Sequence, residues 1–167
     1  AAGNMSDADL EKLESVACPC AGSCGGQFTA NTMACVSEAI GLALPGSAGA
    51  PASFKSRDKV VREAGAGVMH CLAKNIRPRD VVTRESLDNA AKIVAATGGS
   101  TNAALHLPAI AHEAGIKYTL DDVAKIFKTT PYIADLMPGG KYTATDMYRV
   151  GGAPVVIKEL LNAGLLN

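Results

Sequence analysis

Apolar residues recur along most of this chain at spacings of three to five, the period of a helix buried along one stripe. Phe28, Met33, Val36 and Ile40 keep this spacing through about Leu42 and predict an amphipathic helix. From about Arg57 to Ala73, Val61, Ala64, Val68 and Leu72 mark one helical face. A third pattern carries Leu87, Ala90, Ala91 and Val94; Thr83 caps its start and Gly98 ends it, since glycine takes the left-handed conformation that closes a helix. "GGSTN", residues 98–102, then opens a helix that reaches Ala114 and stops at Gly115. Pro108 inside that run removes one backbone hydrogen bond and favours a bend.

Shorter helices complete the pattern. Ser6, with Asp7 and Asp9 in the first turn, caps one through about Val16, and Thr119 with Asp121 and Asp122 starts one holding Val123, Ile126 and Phe127. Acidic side chains there meet the positive end of the helix dipole. Thr145 and Asp146 begin one more turn; Pro154 begins the last helix, through Asn162, and Gly164 closes it. "LPGSAGAPAS" reads as a loop. "NIRPRDVVT" reads as a connector, because Pro78 disfavours helix at Arg77. "YIADLMPGGKY" is the best extended candidate, with a Pro-Gly turn. Six or seven helical patterns against at most two strand-like runs predict a mainly α fold, without internal repeats.

Composition changes this picture in one respect. The 167 residues suffice for one domain and not for two ordinary ones. Of them 48% are apolar, but much of that share is alanine, and only 4% are aromatic. Each buried alanine contributes little transfer energy beside leucine or phenylalanine, so a self-sufficient core looks thin. The opening lacks an initiator methionine. Together these favour an internal segment of something longer, a single incomplete domain over residues 1–167. Formal net charge is zero, from 16 basic and 16 acidic residues without a basic stripe, which argues against nucleic acid or an anionic membrane as partner. No apolar run approaches a bilayer span, and the first residues lack the form of a signal peptide.

The cysteines carry the candidate chemistry. Cys18, Cys20, Cys24 and Cys35 fall within eighteen positions. Disulfide scaffolds are rarely this alanine-rich. The spacing Cys18-x-Cys20-x₃-Cys24 lacks a zinc knot's two-residue separation and a second ligand pair. Cys24 precedes Gly25, Gly26 and a helical run, so backbone N–H groups and the dipole there favour a thiolate, reactive or metal-bound. The glycines would let the backbone approach a bulky inorganic group. Cys35 reads as core, and Cys18 and Cys20 as loop. His70, His106 and His112 read as surface or core histidines, and Lys141 with Tyr142 as a solvated turn.

Read in order, "CPCAGSCGGQFTANTMAC", "GLALPGSAGAPA", "RPRDVVTRESLDNA", "GGSTNAALHLPAIAHEAGI", "ADLMPGGKY" and "VGGAPVVIKELLNAGLL" resemble the dihydroxy-acid/phosphogluconate dehydratase family over nearly the whole chain. The wording "GQFTANTMA" is closer to the branched-chain amino-acid branch of that family than to its sugar-acid branch. Gln27 stands where the family often has methionine, and Pro108 where it often has leucine. The resemblance implies a hydro-lyase of valine, leucine and isoleucine synthesis that dehydrates 2,3-dihydroxy-3-methylbutanoate and its homologue to 2-oxo acids. It implies an iron–sulfur cluster on three cysteines (2Fe–2S in preference to 4Fe–4S), a magnesium ion, and a homodimer. It also implies a parent with a larger α/β N-terminal domain, in the cytoplasm of a bacterium or an organelle of a eukaryote.

Carried onto these residues, the resemblance makes Cys24 the cluster ligand. The other two cysteines, the magnesium ligands and the base serine belong to segments not in this chain, so none of its own residues is assigned as catalytic. The segment alone is expected to be inactive and to hold no stoichiometric cluster, its partner being the rest of its own polypeptide. Ser100, Thr101 and Asn102 are candidates to bind the substrate's carboxylate, since a helix start there would offer N–H donors. The alternatives are a sugar-acid or 6-phosphogluconate dehydratase segment, and a non-catalytic helical domain serving self-association.

Overall fold

The computed structural model describes residues 3–17 and 24–167. Over these the chain forms α1 (Asp7–Ala17), α2 (Thr29–Ile40), α3 (Ser56–Lys74), α4 (Pro78–Val81), α5 (Arg84–Thr97), α6 (Ala103–Glu113), α7 (Leu120–Thr129), α8 (Ala144–Arg149) and α9 (Ala153–Asn162). Among the described residues there is no strand. The extended candidate contributes one isolated bridge between Leu136 and Tyr142. The mainly α fold read from the periodicity is therefore what forms.

α5 is the centre. It packs against α2, α6, α7 and α9, and Leu87, Ala90, Ala91, Ile93 and Ala96 have no exposed surface. One face, Leu87, Ala90, Ala91 and Val94, joins Val36, Ile40, Leu107, Ala111 and Val123 in a first apolar cluster. Its other face, Ile93 and Ala96, joins Cys35, Leu136, Met147, Val156 and Leu160 in a second. Alanine on both faces lets four helices crowd one, because the short side chains of Ala90, Ala91 and Ala96 let the backbones approach.

Local chemistry sets the boundaries. Thr83, Thr119 and Thr143 each accept a hydrogen bond from the N3 backbone N–H of the helix they precede, and the N3 side chain returns the bond. For α8 the cap is Thr143 and not Thr145: Asp146 Oδ2 accepts from the Thr143 N–H at 2.9 Å. The "NIRPRDVVT" connector contains the short helix α4, with Pro78 at its first position and Asp80 accepting from the Arg77 N–H at 2.8 Å. Pro78 does keep Arg77 extended, but proline is itself well suited to start a helix. α6 runs on through Pro108.

Glu38 was not singled out by the sequence pattern, yet it fixes the "LPGSAGAPAS" loop. Its buried carboxylate accepts from the Gly46 N–H at 2.8 Å and the Ala48 N–H at 2.5 Å. Arg84 similarly ties α5 to α7 through Asp122 at 2.9 Å; it also pairs with Asp88 of its own helix at 3.3 Å, and its guanidinium lies 4.6 Å from the Tyr118 ring centre.

α3 forms where its spacing predicts, but its marked face turns outward. Val61, Val68 and Leu72 are 62%, 60% and 69% exposed, and no residue of α3 is buried. The helix is held instead by its N-terminal end: Ser56 Oγ lies 2.8 Å from the Tyr148 hydroxyl, and Arg57 Nη1 donates to the Ala50 carbonyl at 2.7 Å. α1 likewise exposes Leu10, Leu13 and Val16.

Two measurements check these assignments. Glu38→Ala should cost about 2–3 kcal/mol by orphaning two backbone donors, seen as a lower urea midpoint at constant slope, with Glu38→Gln losing less. The Arg84 guanidinium and the Thr119 cap hold the Asp122 carboxyl well below the usual carboxylate range. Its folded-state value lies below its unfolded one, so its contribution is complete above the ordinary carboxylate range and fades as pH falls toward the lowered value. Acid should therefore lower the melting temperature of the parent chain more steeply below about pH 4 than that of Asp122→Asn.

Candidate functional site

The loop that delivers Cys24 to α2 is tied at every carbonyl. Asn31 Nδ2, one turn into α2, donates to the Cys24 carbonyl at 2.9 Å and the Gly26 carbonyl at 2.7 Å. The Ala144 N–H donates to the Gly25 carbonyl at 3.2 Å, and the Thr32 hydroxyl to that of Gln27 at 3.1 Å. From the other side, the Gln27 N–H donates to the Met137 carbonyl at 2.6 Å. Cys24 stands five positions before Thr29, the first residue of α2, so its thiol is carried by the loop and not by the helix N-terminus.

Gly26 has a different purpose from the one its sequence position invites. A Cβ there would sit 2.6 Å from the Met137 carbonyl oxygen. The close approach it permits is thus to the chain's own 136–142 turn, not to an inorganic group.

The half-buried Cys24 opens onto a recess of about 250 Å³ whose walls include Ala30, Ala34, Ala48, Gly49 and Arg57. Small side chains leave room for a group larger than a water, and a guanidinium in the wall suits an anionic one. Cys24 fits as one thiolate donor to such a group. Among the described residues no three His, Cys, Asp or Glu side chains gather to hold a metal, so any further ligands must come from beyond them. Cys18 and Cys20 lie outside the described residues. A larger hollow, about 560 Å³, lies between the 133–142 segment, α8 and α9. Its walls are mostly apolar (Leu136, Met147, Val150, Val156) and it holds no thiol.

The 98–102 loop reaches the same end of α2. Gly98, at φ 63°, closes α5, and a Cβ on it would lie 2.6 Å from Tyr132. The Ser100 N–H donates to Thr32 Oγ1 at 2.9 Å, Ser100 Oγ lies 3.3 Å from Thr29 Oγ1, and Asn102 Nδ2 donates to Thr29 Oγ1 at 2.7 Å. Thr29, Asn31 and Thr32, on one turn, therefore join the Cys24 loop to residues 100–102. The expected cluster of unpaired N–H groups does not form. The N–H groups of Gly98, Gly99, Ser100, Asn102, Ala103 and Ala104 all have partners within the chain. Thr101 and Asn102 remain exposed.

Beneath both loops lies a buried polar chain. Gln27 Nε2 donates to Thr97 Oγ1 at 3.2 Å and lies 3.5 Å from Cys35 Sγ. Cys35 is core, 5% exposed, and burial pushes its thiol pKa up. His70, His106 and His112 are all exposed, as are Lys141 and Tyr142. Sequence reasoning missed Thr29, Asn31 and Thr32. The one available signal was a run of hydrogen-bonding side chains at the start of a helix right after a cysteine–glycine loop.

The sequence profile described as "Dihydroxy-acid/6-phosphogluconate dehydratase N-terminal" matches residues 1–167, and the chain belongs to that family. It is 69% identical over 166 residues to the dihydroxy-acid dehydratase of Dinoroseobacter shibae, covering 99% of this chain and 29% of that protein. It is 68% identical over 166 residues to that of Parvibaculum lavamentivorans, with the same coverage. To that of an Arthrobacter species it is 48% identical over 167 residues, all of this chain and again 29% of the relative. The chain thus spans less than a third of the length of these relatives.

Exposure and ionisation separate the two thiols experimentally. At pH 8, iodoacetamide should label Cys24 at least about tenfold faster than Cys35, since only an accessible thiolate reacts. Peptide mass spectrometry reads the two rates; equal rates would contradict the placement of Cys35.

Proposed function

We propose that this chain is part of a dihydroxy-acid dehydratase, a hydro-lyase that converts a 2,3-dihydroxy acid to a 2-oxo acid. In it Cys24 supplies one thiolate to an iron–sulfur cluster, and the 98–102 loop orients the substrate. The observation that carries this reading is the single turn of α2 that holds both the Cys24 loop and residues 100–102. The relatives' names favour the dihydroxy-acid substrate over the sugar-acid alternative. The cluster, when bound, supplies a Lewis acid for the departing hydroxyl.

The chain's own groups then have defined tasks. The loop bonds hold the Cys24 backbone, and Arg57 adds positive charge to the recess wall. Asn102 spends one of its two amide protons on Thr29, and the Ser100 hydroxyl is engaged with the Asn102 N–H and Thr29. Among the described residues, the second Asn102 proton and the Thr101 hydroxyl have no partner, and they are the groups to meet a substrate carboxylate. The magnesium site and the base belong, on the resemblance, to the remaining polypeptide. The outward apolar stripes of α1 and α3 suit packing against that polypeptide in a homodimeric enzyme.

In the full-length dehydratase, Cys24→Ser should abolish the visible cluster absorption and the activity, whereas Cys35→Ser should leave both largely intact. Equal losses at the two positions would remove the assignment. Thr101→Ala, which breaks no side-chain bond among the described residues, should raise KM about tenfold or more with cluster absorption unchanged.

A further inference from the structure

We infer that Asn31 is a positioning residue for Cys24: its side-chain amide sets the direction in which the thiol leaves the loop. This deepens the reading of Cys24 as a cluster ligand and rests on it. The carboxamide has only two N–H donors, and it lies against the carbonyls on either side of Gly25, at 2.9 Å to Cys24 and 2.7 Å to Gly26. Those two carbonyls bracket the backbone dihedrals of Gly25 and Gly26. Glycine gives these dihedrals the widest choice in the loop. Without a clamp, rotation there would swing the Cys24 Cα–Cβ bond.

The geometry also explains why an amide is needed. Asn31 sits in the third position of a regular helix, so its Cα is fixed by α2 and its rotamer by two bonds. A carboxylate of the same shape would present acceptors to acceptors and repel both carbonyls. Asn31 lines the recess beside Cys24 as well, so the clamp borders the space where the ligated group would bind. Gly25 and Gln27 have separate partners, Ala144 and Thr32. Loss of Asn31 therefore frees the thiol-bearing end of the loop while the end joined to α2 stays tied.

The test uses the full-length holoenzyme carrying Asn31→Ala, Asn31→Asp or Asn31→Ser. The alanine and aspartate variants should lose iron to a chelator about tenfold faster than the parent. Their visible circular dichroism should shift, and the serine variant, which keeps one donor, should fall between. In the cluster-free enzyme, iodoacetamide should label Cys24 about tenfold faster in the alanine and aspartate variants, with labelling of Cys35 unchanged. Unaltered Cys24 labelling and iron release, with only a lowered melting temperature, would overturn the inference. So would failure of all three variants to fold, since the role assigned is local. If cluster absorption survives Cys24→Ser, the cluster reading fails, and the Cys24 labelling rates still decide whether Asn31 positions the thiol.

Discussion

The burial of α5 on both faces is the constraint on which the rest of the structure depends. A helix with Leu87, Ala90, Ala91, Ile93 and Ala96 fully enclosed must be surrounded, and α2, α6, α7 and α9 are the elements that surround it. Alanine makes the enclosure possible by letting the helices approach, and it limits how much stabilisation each contact returns. Polar bonds add ties between the elements, two of them buried and one partly exposed. The Gln27–Thr97 link, the Glu38 carboxylate and the Arg84–Asp122 pair each tie segments that apolar contacts alone would hold loosely.

The site inherits its geometry from this arrangement. α2 lies along α5, so its first turn comes to rest beside the end of α5, where Gly98 turns the chain into residues 100–102. The same turn faces back over the loop from Cys24 to Gln27. Three neighbouring side chains, Thr29, Asn31 and Thr32, therefore serve two loops that are about seventy residues apart in the chain.

Periodicity made the helices legible, because each of α2, α5 and α7 turns an apolar stripe inward, while α9 was marked by its first-turn proline and closing glycine. Thr83 and Thr119 marked their starts, and Gly98 and Gly164 the ends. For α8 two threonines compete, and only three-dimensional geometry shows that Thr143 and not Thr145 faces the N3 amide. The stripe of α3 was equally regular but points away from the other helices, since spacing reports that a face is apolar and not what covers it. Cys24 was legible through its motif. Its support was not: Asn31 and Thr32 look like ordinary polar residues of an exposed helix start until the loop folds back over them. Gly26 was read as room for a ligand, yet it is occupied by Met137, a residue more than a hundred positions away that no local pattern could bring near.

Alanine makes up seven of the twenty-one buried hydrophobic residues among those described, and this share has a calorimetric consequence. The heat-capacity increment of unfolding grows with the apolar surface newly exposed to water, and each alanine exposes little. The outward stripes of α1 and α3 add nothing, being hydrated already in the folded state. The stability of this segment should therefore vary weakly with temperature, tracing a broad and shallow curve. Covering α1 and α3 with further protein would sharpen that curve as well as raise it, because newly buried valines, leucines and methionine each expose more apolar surface on unfolding than an alanine does.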